Sequence, residues 1–187
     1  MACDTGPVPR PRLIDRAAVL DAALAVADEG GIEAVTMAVV GRRLGVSAMA
    51  LYRHVADKAD LLDGLVERLL DDVPLPETGL DPIERLAALG AGIRATALRH
   101  PHVFPLLLAR PATTAEARQR RDLVVALLQE IGVPADDAPR VERLISTMVL
   151  GFAASEAAGR FAHHPPAVID ADWDALQEIV RLTISRR

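Results

Sequence analysis

The stretch VVGRRLGVSAMALYRHV, Val39 to Val55, ends one short helix and starts another at once. Thr36 is placed to cap a helix over Met37 to Leu44, and Ser47 to cap a second over Ala48 to His54. In both, a short side-chain oxygen can take up N–H groups that a first turn leaves unpaired. Gly41 is small where two helices must cross closely, and Gly45 permits the positive φ of the turn between them. Val40, Leu44, Val46, Leu51 and Val55 form one inward-facing apolar side. Two short helices joined by such a turn are the helix-turn-helix pattern.

The outward side of the same stretch is polar and basic. A second helix starting at Ser47 presents its N-terminal N–H groups and positive dipole end, which suits a phosphate or the floor of a major groove. From Thr36 to Lys58 the charges are Arg42, Arg43, Arg53 and Lys58 against Asp57, a local +3 before any contribution from His54. Tyr52, Arg53, His54 and Lys58 can donate to phosphate oxygens, while Ser47, Ala48, Met49 and Ala50 are small or apolar enough to approach base edges. Short helices separated by glycine also occur in ordinary bundles, and an arginine pair is commonly a solvated face. Spacing alone leaves both readings open.

The rest of the chain narrows the setting. Its net charge is −5, from 21 Lys and Arg against 26 Asp and Glu, which excludes a globally basic nucleic-acid coat but not a local patch. The single cysteine, Cys3, allows no intramolecular disulfide and fits a reducing cytoplasm. No apolar run reaches the roughly 18–20 residues of a membrane helix, and the first dozen residues lack the apolar core of a secretory signal. Ala, Leu and Arg dominate, so the expected fold is all-α, with about nine helices.

Cap residues give the order of those helices. Asp15 opens one that Gly30 and Gly31 close, and Asp57 opens another that runs to about Asp72. Pro74 and Pro76 then mark a linker. Asp81, Pro82 and Glu84 form an N-cap, a proline at the first helical position and a reciprocal acid, opening a helix to Arg99. A short apolar segment covers Val103 to Leu108. Thr113 with Glu116 predicts a helix to Ile131, and two more follow over Asp137 to Phe161 and Asp172 to Ser185. The expected organisation is a flexible leader over 1–12, a three-helix helix-turn-helix module over 13–73, and a helical ligand-binding and dimerisation bundle over 80–187.

Thr36 to Leu65, with Thr-Met, LGVS, ALYRHV, Lys58 and LLDGL, closely resembles the DNA-binding domain of the TetR family of bacterial transcriptional regulators. The resemblance is strong from Leu13 to Val73 and weaker beyond, where RHPHVFPLLLARP and MVLGFAASEAAGRF look like that family's C-terminal core. It implies a homodimer on a double-stranded inverted-repeat operator, released by a small-molecule effector, and no enzymatic activity. An activator, or a ligand binder without regulated release, is the alternative. It places Thr36, Tyr52, His54 and Lys58 at backbone-contacting positions and Ala48, Met49 and Ala50 at base-facing ones. Ala38 departs from the pattern, standing where tetracycline repressors carry a base-reading arginine. Readout is then expected to lean on thymine methyls, on an arm carrying Arg10 and Arg12, or on DNA shape.

In the C-terminal half, Gly151, Ser155 and Gly159 recur at every fourth position, flanked by Ala154 and Ala158. Such a stripe lets a helix approach closely, and with Trp173, Leu176 and Val180 it is assigned to a four-helix dimer interface; tight packing within one subunit is the competing account. Ile93, Phe104, Leu107, Leu127, Met148 and Phe152 are the candidate apolar walls of an effector pocket, with Arg94, His100, His102 and Thr147 as polar contacts. Neither His100 with His102 nor His163 with His164 has the i, i+4 spacing of a helical metal site, so no metal or cofactor is expected. An all-α enzyme is disfavoured because no Ser/His/Asp set, Cys/His pair or phosphate-binding glycine loop stands at a workable spacing.

Overall fold

The computed structural model describes residues 14–110 and 114–185, except the side chain of residue 116. Cys3, the Arg10 and Arg12 arm, Thr113 and the leader lie outside the described residues. Nine α-helices occur among those described: α1 (Arg16–Gly30), α2 (Met37–Leu44), α3 (Ala48–Leu51), α4 (Lys58–Asp71), α5 (Pro82–Arg99), α6 (Leu106–Ala109), α7 (Ala115–Glu130), α8 (Ala138–Ala157) and α9 (Pro166–Ser185). No helix among them is long and apolar enough to cross a membrane.

The first four helices share one core. Asp15 caps α1 by accepting from the Ala18 N–H at 2.8 Å, and Asp57 caps α4 by accepting from that of Asp60 at 2.9 Å. Val19, Ala23, Ala27, Val40, Leu51, Leu61, Leu65 and Leu69 are buried together, and Val103 joins them from the segment after α5. The second core gathers α5, α7, α8 and α9 around Leu86, Leu127, Leu128, Val141, Ile145, Trp173 and Val180. Val73, at the expected end of the first module, is buried in this second core, whereas most of the linker after it is exposed.

Most helix starts lie where the caps place them. Asp81 and Glu84 form the reciprocal box at α5: the Asp81 carboxylate accepts from Ile83 at 2.8 Å, and the Glu84 carboxylate from the Asp81 N–H at 3.2 Å. Three ends differ from expectation. The residue capping α7 is Thr114, whose hydroxyl accepts from Ala117 at 3.2 Å, one position after Thr113. The α8 helix stops at Ala157, and Gly159 follows at φ 73° outside the helix, so it is not part of a helical stripe. The α9 helix starts at Pro166, six residues before Asp172, because proline at a first helical position gives up no hydrogen bond.

One polar anchor joins the two cores, and a second ties helices within the C-terminal one. His100, buried at the end of α5, places Nδ1 2.8 Å from Asp28 of α1 and Nε2 3.1 Å from Asp72 after α4. Arg94 binds Glu156 of α8 with two contacts of 2.7 Å and Asp170 of α9 with a third, its guanidinium 5.3 Å from the Trp173 ring.

Candidate nucleic-acid interface and ligand cavity

The turn between α2 and α3 has the chemistry its glycines require. Gly45 sits at φ 72°, a left-handed conformation that a side chain disfavours, and the Val46 N–H returns to the Gly41 carbonyl at 2.9 Å. A Cβ on Gly41 would lie 2.9 Å from the Val46 carbonyl oxygen and 3.2 Å from the Ala48 nitrogen, both backbone atoms. Val40, Leu51 and Val55 are buried, with Leu44 and Val46 packed against them.

That packing leaves a defined outer surface. Thr36, Arg42, Ser47, Met49, Tyr52, Arg53 and Lys58 are exposed, while Ala48, Ala50 and His54 are half-buried. Met49, at 73% exposure, has the highest value of any large apolar side chain among the described residues. Thr36 caps α2 by accepting from Val39 at 3.2 Å, whereas the Ser47 hydroxyl makes no capping bond although the residue occupies the cap position. Regular α3 ends at Leu51, so Tyr52, Arg53 and His54 project from the turn that follows rather than from a continuous helix.

Arg43 differs from its neighbours. It binds Glu29 of α1 through two contacts of 2.8 and 2.7 Å, and this pairing holds the Glu29 carboxyl below its ordinary range. The pair is solvent-exposed, so Arg43 is engaged by Glu29 in the free chain while Arg42, Arg53 and Lys58 make up the rest of the basic face. The Arg16 guanidinium fixes the far end of the motif, donating to the His54 carbonyl at 3.1 Å and to Asp60 at 2.8 and 3.2 Å. Asp60 also accepts from the Ala56 N–H at 2.7 Å, and the Arg16 hydrogen bonds lower its pKa. Neither clamp is visible in local spacing, because each partner is far along the chain.

Beneath the interface lies a cavity of about 210 Å³. Val66 and Leu70 of α4 form one wall, and Leu86, Leu89 and Ile93 of α5 another. Leu107, Ala117, Val124, Ile145, Val149, Leu150 and Val180 complete the apolar lining. Arg110, Arg120, Arg121, Glu142, Ser146 and Gln177 supply the polar groups. Arg110 binds Asp63 at 2.5 Å and donates to the Ala59 carbonyl at 3.1 Å, tying the cavity to the first half of α4.

Of the residues expected at the pocket, Ile93 and Leu107 line this cavity and the others are placed elsewhere. Phe104 and Leu127 are fully buried core. Arg94 and His100 are taken by the carboxylates described above. Phe152 stacks between Phe161 and Trp173, at centroid distances of 5.3 and 5.5 Å. Thr147 and Met148 are exposed, the Thr147 hydroxyl turned back to the Arg143 carbonyl at 2.6 Å, and His102 is exposed too. The helical register explains this: on α8 the inward face carries Glu142, Ile145 and Val149, one residue away from the pair chosen.

Of the residues expected at a dimer interface, Trp173, Leu176 and Val180 are 6–8% exposed and pack in the chain's own core. The outward apolar residues are Val168, Ile179 and Leu182 on α9, with Leu144 and Met148 on α8. Gly151 and Ser155 are half-buried on α8, and Ala158 is exposed just after it.

Residues 19–65 match the model for bacterial regulatory proteins of the tetR family, and residues 86–180 match the tetracyclin repressor-like C-terminal domain. The chain is 31% identical over 169 residues to the HTH-type transcriptional repressor DrrR1 of Streptomyces coeruleorubidus, covering 88% of this chain and 62% of that protein. It spans 62–63% of the length of such relatives. Among solved structures, ActR of Streptomyces coelicolor in complex with actinorhodin superposes with a TM-score of 0.78 at 20% identity, over 92% of this chain and 96% of that one. BioQ with its double-stranded DNA operator gives a TM-score of 0.70 at 24% identity, over 89% and 99%. With the two family matches covering both halves of the molecule, the chain belongs to the tetR family of regulatory proteins.

Proposed function

We propose that this protein is a transcriptional repressor that grips an inverted-repeat operator as a homodimer and releases it when a small-molecule effector fills the cavity. The observation that carries the reading is the double duty of α4. Its first turn closes the helix-turn-helix under the Arg16 and Arg110 clamps, and further along Val66 and Leu70 form a cavity wall. A ligand that prefers a shifted α4 wall thereby disfavours the orientation of α3 that fits DNA.

In this reading Met49 faces the bases, with Ala48 and Ala50 flanking it, and Thr36, Arg42, Ser47, Tyr52, Arg53, His54 and Lys58 meet the sugar-phosphate backbone. The relatives support it: DrrR1 is a repressor, BioQ was solved on its operator, and ActR was solved in complex with actinorhodin. The outward stripes on α8 and α9 supply the apolar surface that pairs two copies. The deciding experiment is selection of bound sequences from a random duplex pool with the purified protein, followed by sizing of the complex. An inverted repeat with half-site centres about one helical turn apart, bound by two copies, is expected. No enrichment, or one copy on a single half-site, would overturn the reading.

A further inference from the structure

The cavity's polar groups are not equally committed. Arg110 is satisfied by Asp63 and the Ala59 carbonyl, and Arg121 lies 3.8 Å from Asp122. Gln177 reaches the Ala87 carbonyl at 3.5 Å. Glu142, 7% exposed, accepts the Ser146 hydroxyl at 2.9 Å. Arg120 differs: its Nη1 is buried and has no hydrogen-bond partner among the described residues. A guanidinium cannot shed its charge, and a buried, unmatched donor on it is costly. Among native buried polar groups such orphans are rare.

We infer that the cavity takes a compact organic anion, an apolar body bearing one carboxylate or comparably acidic group, whose oxygen docks on Nη1 of Arg120. The inference rests on the reading of this cavity as the effector site and names the chemical class of the effector. Of the three guanidinium groups that line the space, Arg110 is paired with Asp63 and Arg121 lies beside Asp122, so the buried Nη1 of Arg120 is the donor left to receive an anion. A neutral apolar molecule would fill the walls and leave the buried Nη1 unmatched, whereas an anion gains a charge-assisted hydrogen bond in a low-dielectric site. The apolar walls on α4, α5 and α8 then take up the body of the ligand, with its acidic head at Arg120 on α7.

The test uses three probes with one eight-carbon tail and different heads: octanoate, 1-octanol and octyltrimethylammonium, titrated calorimetrically into the full-length protein. Octanoate is expected to bind about tenfold tighter than either of the others, as one charge-assisted hydrogen bond allows. Arg120→Met, which keeps the apolar stem, should erase that preference, and Arg120→Lys should restore part of it. Without ligand, Arg120→Met should raise the melting temperature by roughly 2–4 °C, because a buried unmatched donor is gone. A merely structural arginine would give the opposite sign. Equal or tighter binding of 1-octanol, a preference for the cation, no binding of any probe, or an octanoate preference that survives Arg120→Met would each overturn the inference. Operator binding is read separately on the selected duplex. Octanoate binding through Arg120 without DNA release would uphold the ligand class and sink the effector role, while intact DNA binding with no octanoate preference would sink the class alone.

Discussion

Met49 and Tyr52 stand a few residues apart on one surface, yet their surroundings give them different work. Tyr52 projects from the turn after α3 beside Arg53 and Lys58, and the proposed reading gives its phenol a phosphate contact. Tyr52→Ala should therefore weaken binding by a similar factor on the selected operator and on random duplex, measured as two dissociation constants; a loss confined to the operator would show that Tyr52 reads sequence. Met49 is the most exposed large apolar side chain among the described residues and carries no hydrogen-bonding group suited to phosphate. Replacing it with glutamine should change which bases are enriched in a repeat selection, and an unchanged profile would place readout elsewhere. Gly41 tests the scaffold rather than the contact. A methyl there meets two backbone atoms that cannot swing aside, so Gly41→Ala should cost about 1–3 kcal/mol in denaturant unfolding. The exposure of Met49 and Tyr52 and the tight crossing at Gly41 were legible in the sequence because each depends on neighbours within a dozen residues. The commitment of Arg43 to Glu29 was not legible, since nothing local distinguishes it from Arg42.

Helices α1 and α4 are held in register by a pair that lies 44 residues apart, Arg16 and Asp60. Because the Arg16 hydrogen bonds depress the folded-state pKa of Asp60, the pair contributes stability above the unfolded carboxyl pKa of about 3.9 and loses it as pH falls through the lower folded value. Asp60→Asn should accordingly lower the melting temperature at neutral pH, and the gap to the parent protein should close as the pH drops below about 4. A gap that stays constant down to pH 2 would mean that the charge on Asp60 is immaterial. At this scale the sequence was readable wherever a cap fixed a boundary, as at Asp15, Asp57 and Asp81. It misled where two prolines stood together: Pro165 and Pro166 look like a break, yet the second is a first-turn residue, and α9 gains a turn and a half that brings Asp170 to Arg94. Faces were harder than ends. Thr147 and Met148 lie only one or two positions from Val149 and Ile145, yet each position turns about 100° around the helix, and only the packing of α5 and α7 against α8 decides which face looks inward.

For the whole molecule, the apolar residues that the subunit leaves outside are spaced as a seam. On α9, Val168, Ala175, Ile179 and Leu182 alternate by seven, four and three positions, and α8 adds Leu144 and Met148 from the helix packed beside it. Because Ile179 and Leu182 are 51% and 44% exposed in the single subunit, changing both to aspartate should leave the fold and melting cooperativity intact. In the proposed dimer the same substitutions would bury unpaired charges, so the variant should sediment as one chain where the parent sediments as two. The DNA consequence separates this from a general loss of affinity. Salt dependence counts the phosphates that are neutralised, with log affinity falling against log salt by roughly 0.9 per phosphate. A dimer presents two copies of the Arg42, Arg53 and Lys58 face, so splitting it should lower operator affinity and cut the salt slope to about half. A variant that remains paired, or a monomer with an undiminished slope, would show that the two faces do not act together on one operator.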